Sequence, residues 1–162
     1  MNKPSSFVWR PTTTVILLCG FFLILVAIVV SFVASNFKPT VGVQLGSGMY
    51  SLWLADTEAE RSQGLSSVES LQINGGLLMV FEGDQAWGIW MKDMKVPLDI
   101  VWLDNTKKVV HIEEKVSNEL GTDSIFVPKK PSRYVIELPS GSVKKAGIKI
   151  GQTAQFKLEG EH

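Results

Sequence analysis

The feature that most constrains this chain is an apolar stretch of twenty residues, Val15 to Ala34, which contains no charged residue and no proline. At ~1.5 Å rise per residue, an α-helix of this length crosses the ~30 Å hydrocarbon core of a bilayer. A helix on the surface of a water-soluble domain needs a polar stripe, and this stretch has none. The sequence therefore predicts a transmembrane helix over residues 15–34, preceded by a tail of residues 1–14.

Charges on the two sides of the stretch predict its orientation. Lys3 and Arg10 precede it, whereas Lys38 is the only basic residue between it and Asp56. Because positively charged flanks remain in the cytoplasm, we expect the tail to be cytoplasmic and the chain after the helix to be extracytoplasmic. The protein is then expected to be a single-pass protein of the cell membrane.

A cleaved signal peptide is the alternative interpretation, since Val33-Ala34-Ser35 satisfies the small-residue rule for a cleavage site. The apolar region of a signal peptide spans about 7–15 residues, however, and this one is longer. An uncleaved signal anchor is therefore favoured. Residues 35–40 then form a linker to an extracytoplasmic domain over residues 41–162.

The composition of residues 41–162 argues against several classes of protein. The segment holds 13 Lys and Arg against 16 Asp and Glu, a net charge of −3. Nucleic-acid binding needs a concentrated basic face, so we expect no nucleic acid partner. The one cysteine, Cys19, lies in the apolar stretch, which excludes a disulfide, a thiol nucleophile and a cysteine-bound zinc from the domain. The length of the segment is typical of one domain.

Short apolar runs separated by turn residues predict a mainly β (α+β) domain with a small barrel-like or curled mixed sheet and one or two short helices. A Thr-x-x-Glu capping box at Thr57 predicts a short helix that ends at Gly64. Strands are predicted at residues 41–45, 49–55, 76–81, 88–91, 98–103, 108–112, 133–138 and 155–158. The strand at 133–138 alternates and is expected to be half-buried. A polar loop is predicted over residues 117–131, and a helical turn with a serine cap over residues 142–147.

Three charged residues stand out against this pattern, namely Arg61, Asp99 and Glu137. Asp99 lies among apolar neighbours, and Glu137 interrupts the apolar run of its predicted strand. An unpaired buried carboxylate is costly or takes up a proton, and Arg is its natural partner. We therefore expect the three to converge, with Arg61 neutralising at least one carboxylate, as a structural ion network or as a binding site.

Trp90 and Met91 are the second candidate for a binding site. An exposed Trp beside polar groups is a normal lining for a sugar or peptide groove. Met91 and Met94, together with His111, also carry the soft donor atoms that suit Cu(I). Core packing is the commoner role of a Trp-Met pair in a strand, so no metal site is predicted.

Catalytic motifs are scarce. The sequence has no serine nucleophile elbow, His-Glu-x-x-His pair, P-loop or dinucleotide-binding glycine pattern. We therefore assign no catalytic residue and no cofactor. A non-catalytic module that binds a small ligand, an envelope polymer or a partner protein is expected. The alternative is a hydrolase of envelope material that uses Asp99 and Glu137 as its carboxylate pair.

Four segments occur together in an order that resembles the domain-of-unknown-function family 192. They are RSQGL at 61–65, GGLLMVF at 75–81, WMKDMKVPLDI at 90–100 and YVIELPSG at 134–141. The resemblance covers most of residues 41–160 and implies a small β-rich domain, often exported or membrane-anchored in prokaryotes, with no established reaction. Asp93 and Met94 depart from the family pattern, which usually has Asn and Thr at these positions.

Overall fold

A computed structural model describes residues 13–36 and 39–158, and the chain divides into two compact units between Lys38 and Pro39. Within the first unit the described side chains are those of Ile16 and of residues 18–31. The predictions made for residues 1–12, for positions 37 and 38 of the linker and for the end of the chain at 159–162 lie outside the described residues.

The described part of the first unit is a helix, α1 (Thr13–Asn36), which includes the apolar stretch. The helical part of the prediction for residues 15–34 is therefore confirmed. Within the described part of the chain, however, no helix has both the length and the apolar character that crossing a bilayer requires. The membrane span itself stays a prediction.

The second unit is mainly β and is built on a mixed six-stranded sheet that curls into half a barrel. Its strands are β1 (Thr40–Leu45), β2 (Gly48–Ala55), β3 (Leu77–Gln85), β5 (Leu98–Leu103), β6 (Val109–Val116) and β8 (Ser132–Pro139). Their order in the sheet is β1-β2-β3-β8-β5-β6. The pair β2 and β3 is parallel and the other pairs are antiparallel, so the mixed sheet predicted from the sequence is confirmed.

Strand β8 lies at the centre of this sheet, because it pairs with β3 on one edge and with β5 on the other. All residues from Tyr134 to Leu138 are buried. The prediction of a half-buried strand is therefore wrong. The alternation of polar and apolar residues was a poor guide here, since Glu137 is a polar residue on a face that is covered.

Apolar side chains form one core on each face of the sheet. Tyr134, Ile136 and Leu138 of β8 contribute to the first core, and Val135 contributes to the second. Strand β5 alternates in the same way, with Val101 in the first core and Trp102 in the second. Because neighbouring residues of a strand point to opposite faces, the side chain of Glu137 lies on the second-core face.

Short elements cover the two faces. They are α2 (Glu58–Gln63), β4 (Ile89–Met91), a 3-10 helix (Asn118–Leu120), β7 (Gly121–Phe126) and α3 (Ser142–Ala146). The capping box that begins α2 is present in full: the Thr57 hydroxyl accepts from the Glu60 amide, and the Glu60 carboxylate accepts from the Thr57 amide. Gly64 ends this helix, as predicted.

Three local predictions are wrong. The segment predicted as a polar loop contains β7, which pairs with β4 in a separate two-stranded sheet. Ser142 does not cap α3, since its hydroxyl donates to the carbonyl of Pro139 and the capping position is Gly141. The predicted last strand is limited to an isolated bridge between Gln155 and Gln44. In the first and third cases, pairing over a long distance in sequence decides the local structure.

Candidate ligand-binding cavity

A cavity of about 470 Å³ opens on the second-core face of the sheet. Three of the five residues proposed from the sequence as binding residues, Arg61, Trp90 and Glu137, line it. The other two, Met91 and Asp99, have 0 % of their surface exposed and do not line it. The cavity therefore brings together residues from α2, β4 and β8 that lie far apart in the sequence.

Asp99 has a structural role on the opposite face. Its register partner on β8 is Leu138, a residue of the first core, so the two side chains share that face. The carboxylate accepts hydrogen bonds from the amides of Lys115 and Val143, each at 2.8 Å. Burial and the nearby charge of Asp99 raise the pKa of the Tyr50 hydroxyl, which belongs to the first core. Asp99 of β5 is thus bonded to both β6 and α3.

The predicted convergence of Arg61, Asp99 and Glu137 is therefore wrong for Asp99. Leu138 follows Glu137 directly, and adjacent residues of a strand point to opposite faces. Asp99 shares the face of Leu138 and is separated from Glu137 by the sheet itself. The two carboxylates consequently do not face a common cleft, as a carboxylate pair that acts on one glycosidic bond must.

Glu137 is the buried polar group of the cavity. Only 3 % of its surface is exposed, and its Oε2 atom has no hydrogen-bond partner among the described residues. Its cross-strand neighbours are Leu77 of β3 and Ile100 of β5, both apolar. Desolvation in this surrounding raises the pKa of Glu137 from its ordinary value of 4.5 to about 8. At neutral pH the side chain is a carboxylic acid that carries one O–H donor.

Arg61 supplies a half-buried positive charge to the same cavity. Its Nη1 atom donates to the carbonyl oxygens of Asp56 and Val80, the latter at 2.8 Å, and its guanidinium carbon lies 5.1 Å from the centre of the Phe81 ring. No ion pair between Arg61 and a carboxylate is present among the described residues. The expectation that Arg61 pairs with Glu137 is not met among the described residues.

An aromatic wall completes the cavity. The rings of Phe81 and Trp87 are stacked, with centroids 4.2 Å apart and planes inclined by 12°. The indole N–H of Trp87 donates to the carbonyl of Gly83, and the carbonyl of Trp87 accepts from the indole of the buried Trp102. The first of these bonds and the stacking on Phe81 fix the orientation of the Trp87 ring. Phe81 and Trp87 were not predicted as site residues from the sequence, since an aromatic residue at the end of a predicted strand has no distinguishing pattern.

Trp90 and Met91 point to opposite sides of β4, as successive residues of a strand do. Trp90 is 48 % exposed, whereas Met91 is buried in the second core. The Nε2 atom of His111 is 2.9 Å from a carboxylate oxygen of Glu113, and its ring packs against Trp102. The described residues include no cluster of three or more His, Cys, Asp or Glu side chains suited to a metal ion.

Asp93, one of the two departures from the family pattern, has a structural explanation. Its backbone adopts a left-handed φ of 54°. Asn and Asp tolerate this conformation better than other residues with a side chain, so the exchange of Asn for Asp preserves the turn. Met94, the second departure, lines the cavity and is 8 % exposed.

The charged groups around the opening of the cavity include both acidic and basic side chains. Glu58, Glu82 and Lys92 line it and are exposed, so solvent screens their charges. Arg61 and Glu137 are the less exposed ionisable groups of the lining. The interior of the cavity is therefore lined by one fixed cation, one neutral acid and an aromatic wall.

The fold and the cavity define a small domain of the curled mixed-sheet class with a ligand-sized cavity on one face. Residues 42–156 match the DUF192 family, described as "Uncharacterized ACR", and the chain belongs to that family. The resemblance seen in the four sequence segments is confirmed by this match.

Relatives and solved structures agree with this assignment. A UPF0127 protein of Thermococcus gammatolerans is 33 % identical over 107 residues, which cover 65 % of this chain and 65 % of the relative. A UPF0127 protein of Thermococcus kodakarensis is 30 % identical over 100 residues, which cover 60 % of this chain and 59 % of the relative. The chain thus matches less than two thirds of the length of either relative.

Two crystal structures are similar in fold. A Sinorhizobium meliloti protein, described provisionally as a transcription regulator, superposes with a TM-score of 0.69 at 24 % identity, covering 74 % of this chain and 95 % of that one. A Novosphingobium aromaticivorans protein of unknown function gives a TM-score of 0.63 at 25 % identity, covering 72 % and 83 %. The first likeness, at this low identity, concerns the fold alone.

Proposed function

We propose that the protein is a membrane-tethered, extracytoplasmic binding module whose cavity holds a small ligand. The observation that carries this proposal is the unpartnered, buried carboxyl group of Glu137 on the wall of a cavity of about 470 Å³. Ligand sites are typically cavities of this order, roughly 300–1,000 Å³, with apolar walls and a few fixed polar groups.

The energetics of Glu137 support a ligand rather than a purely structural role. A buried polar atom without a hydrogen bond lowers stability by about 1–3 kcal/mol. Leucine or glutamine at this position would avoid the ionisation problem in a domain that needed only a packed core. A ligand that bonds to the Glu137 carboxyl group would satisfy its free oxygen and recover part of this cost.

The proposal is tested by screening the full chain against a fluorinated fragment library with ligand-observed ¹⁹F NMR. A matched pair of variants identifies the site. Ser62→Trp places a large side chain at an exposed position of the cavity lining, whereas Thr122→Trp adds the same side chain at an exposed position of β7 outside it. We expect fragment binding that Ser62→Trp abolishes and Thr122→Trp preserves. Fragments that bind equally to both variants, or no binding fragment at all, would contradict the proposal.

A hydrolase is the second candidate function, and one observation favours it. A carboxyl group with a pKa near 8 has the property of a general acid at neutral pH. Its partner carboxylate would have to be Glu58 or Glu82, which line the same cavity, because Asp99 lies on the other face. Mass spectrometry of any fragment or envelope polymer that binds decides the point: products that form with the wild type and not with Glu137→Gln support the hydrolase.

The membrane tether is proposed from the sequence together with the exposure of α1. Residues 15–34 carry no charge, and the large apolar side chains described between Ile16 and Val30 are exposed, including Phe21 and Leu23. Such a surface is compatible with hydrocarbon rather than water. Fusing a reporter after His162 tests the orientation: extracytoplasmic activity is expected, and cytoplasmic activity would overturn it.

A further inference from the structure

We infer that the cavity takes a small organic anion, a monocarboxylate with an apolar body, whose carboxylate accepts a hydrogen bond from Glu137 and is balanced by the charge of Arg61. This inference rests on the proposed function and names its ligand class. The body of the ligand would lie against the rings of Phe81 and Trp87.

Arg61 provides the first reason to expect an anion. Two backbone carbonyls and the Phe81 ring hold its guanidinium group in place, and no described carboxylate pairs with it. Three of its five N–H donors belong to Nη2 and Nε, for which no bond within the described chain is found. A fixed cation with spare donors on a cavity wall is suited to a carboxylate, which matches the planar geometry of guanidinium.

Glu137 provides the second reason. In its protonated form the group donates an O–H to an acceptor, and a ligand carboxylate is a strong acceptor. An organic cation would instead require Glu137 to ionise in an apolar surrounding, with the positive charge of Arg61 in the lining of the same cavity opposing the ligand. An anion avoids both costs.

Binding of such an anion should depend on pH through Glu137. The charged groups that line the same cavity are Arg61 and Glu58 from α2, Glu82 from β3 and Lys92 after β4. Strand β5 presents the apolar Ile100 opposite Glu137. Because burial places the pKa of Glu137 at about 8, the donor form predominates at pH 6 and only about one tenth of it remains at pH 9. The affinity for an anion should therefore fall about tenfold over this interval.

Three probes of matched shape test the charge preference: 4-fluorophenylacetate, 4-fluorophenylacetamide and 4-fluorophenethylammonium. Their dissociation constants for the full chain are measured by ¹⁹F NMR at pH 6 and pH 9, with the Ser62→Trp variant to show that the cavity is the site. We expect the acetate to bind at least tenfold more tightly than the ammonium at pH 6, and to lose about tenfold in affinity by pH 9.

Variants assign these effects to residues. Glu137→Gln should remove the pH dependence of acetate binding, whereas Glu69→Gln, at an exposed position outside the cavity, should keep the tenfold change. Arg61→Gln should weaken acetate binding about tenfold at both pH values. Arg61→Lys, which keeps the charge, should weaken it less, and this comparison separates loss of charge from loss of fold.

The outcomes distinguish the inference from the function on which it rests. If the amide or the ammonium probe binds in the cavity more tightly than the acetate, the inference on ligand class is overturned and the binding module stands. Acetate binding that does not change between pH 6 and pH 9 in the wild type also overturns it. If no probe binds and the fragment screen is empty as well, the proposed function fails.

Discussion

Replacing Glu137 by Gln should change the pH dependence of folding stability. In the unfolded chain a glutamic acid has its ordinary pKa of 4.5, whereas burial raises the pKa of Glu137 in the folded domain to about 8. Between these two values the unfolded state releases the proton and the folded state keeps it. The stability contributed by the protonated group is therefore complete below pH 4.5 and is lost as the pH rises toward 8.

The size of the effect follows from the two pKa values. Each unit of difference corresponds to about 1.4 kcal/mol, and most of the interval lies between pH 5 and pH 8. The wild type should thus lose about 3.5 kcal/mol relative to Glu137→Gln over this range, because the amide has no proton to release. Comparing the two proteins at each pH cancels the titration of the other groups.

Urea denaturation of both proteins at pH 5 and pH 8 measures this difference, with the fluorescence of the buried Trp102 and its neighbours as the signal. Glu69→Gln, at an exposed position, serves as the control and should follow the wild type. A stability difference between wild type and Glu137→Gln that is the same at both pH values would refute the reasoning, since it would mean that Glu137 titrates alike in the folded and unfolded states.

Three further changes test the framework around the cavity by denaturation. Asp99→Ala should lower the free energy of unfolding by about 2–4 kcal/mol, because the amides of Lys115 and Val143 lose their acceptor; a near-neutral result would contradict the role assigned to Asp99. Thr57→Ala removes the capping box of α2 and should cost about 1 kcal/mol, and an unchanged midpoint would show that the cap is dispensable. Gly76→Ala should destabilise by about 1–3 kcal/mol or more, since the added Cβ atom would lie 2.2 Å from a carbonyl oxygen of β8 at a positive φ; normal stability would show that the backbone shifts freely here.

The local features of the fold were accessible from the sequence. The capping box at Thr57 is set by residues only a few positions apart and occurs as expected. The strands predicted at 41–45 and 49–55 are also close in sequence, and they correspond to the paired strands β1 and β2. The hairpin of β5 and β6 likewise joins neighbouring segments. Structure that depends on contacts across long sequence separations was harder to predict. Strand β7 is identified only by its pairing with β4. The burial of β8 depends on its two partners in the sheet.

The residues of the candidate site likewise include some that could be predicted from the sequence and some that could not. Composition and pattern selected Arg61 and Glu137 as charges in unusual surroundings, and both line the cavity. Asp99 was selected on the same grounds but lies on the opposite face of the sheet. The reason is that Asp99 pairs with Leu138, whereas the next residue, Ile100, pairs with Glu137. The stacked pair of Phe81 and Trp87 was missed, because the register of β3 shifts between Val80 and Gln85, and the sequence pattern does not reveal this irregularity.

The central claim is that a neutral carboxylic acid lies in the wall of the cavity at physiological pH. A ¹³C NMR titration of the glutamate side-chain carboxyl groups tests it most directly, with Glu137→Gln to assign the signal. The signal that disappears in this variant should titrate with a midpoint near pH 8. A midpoint near 4.5, the ordinary value for a glutamate, would contradict the claim and with it the ligand class inferred from Glu137.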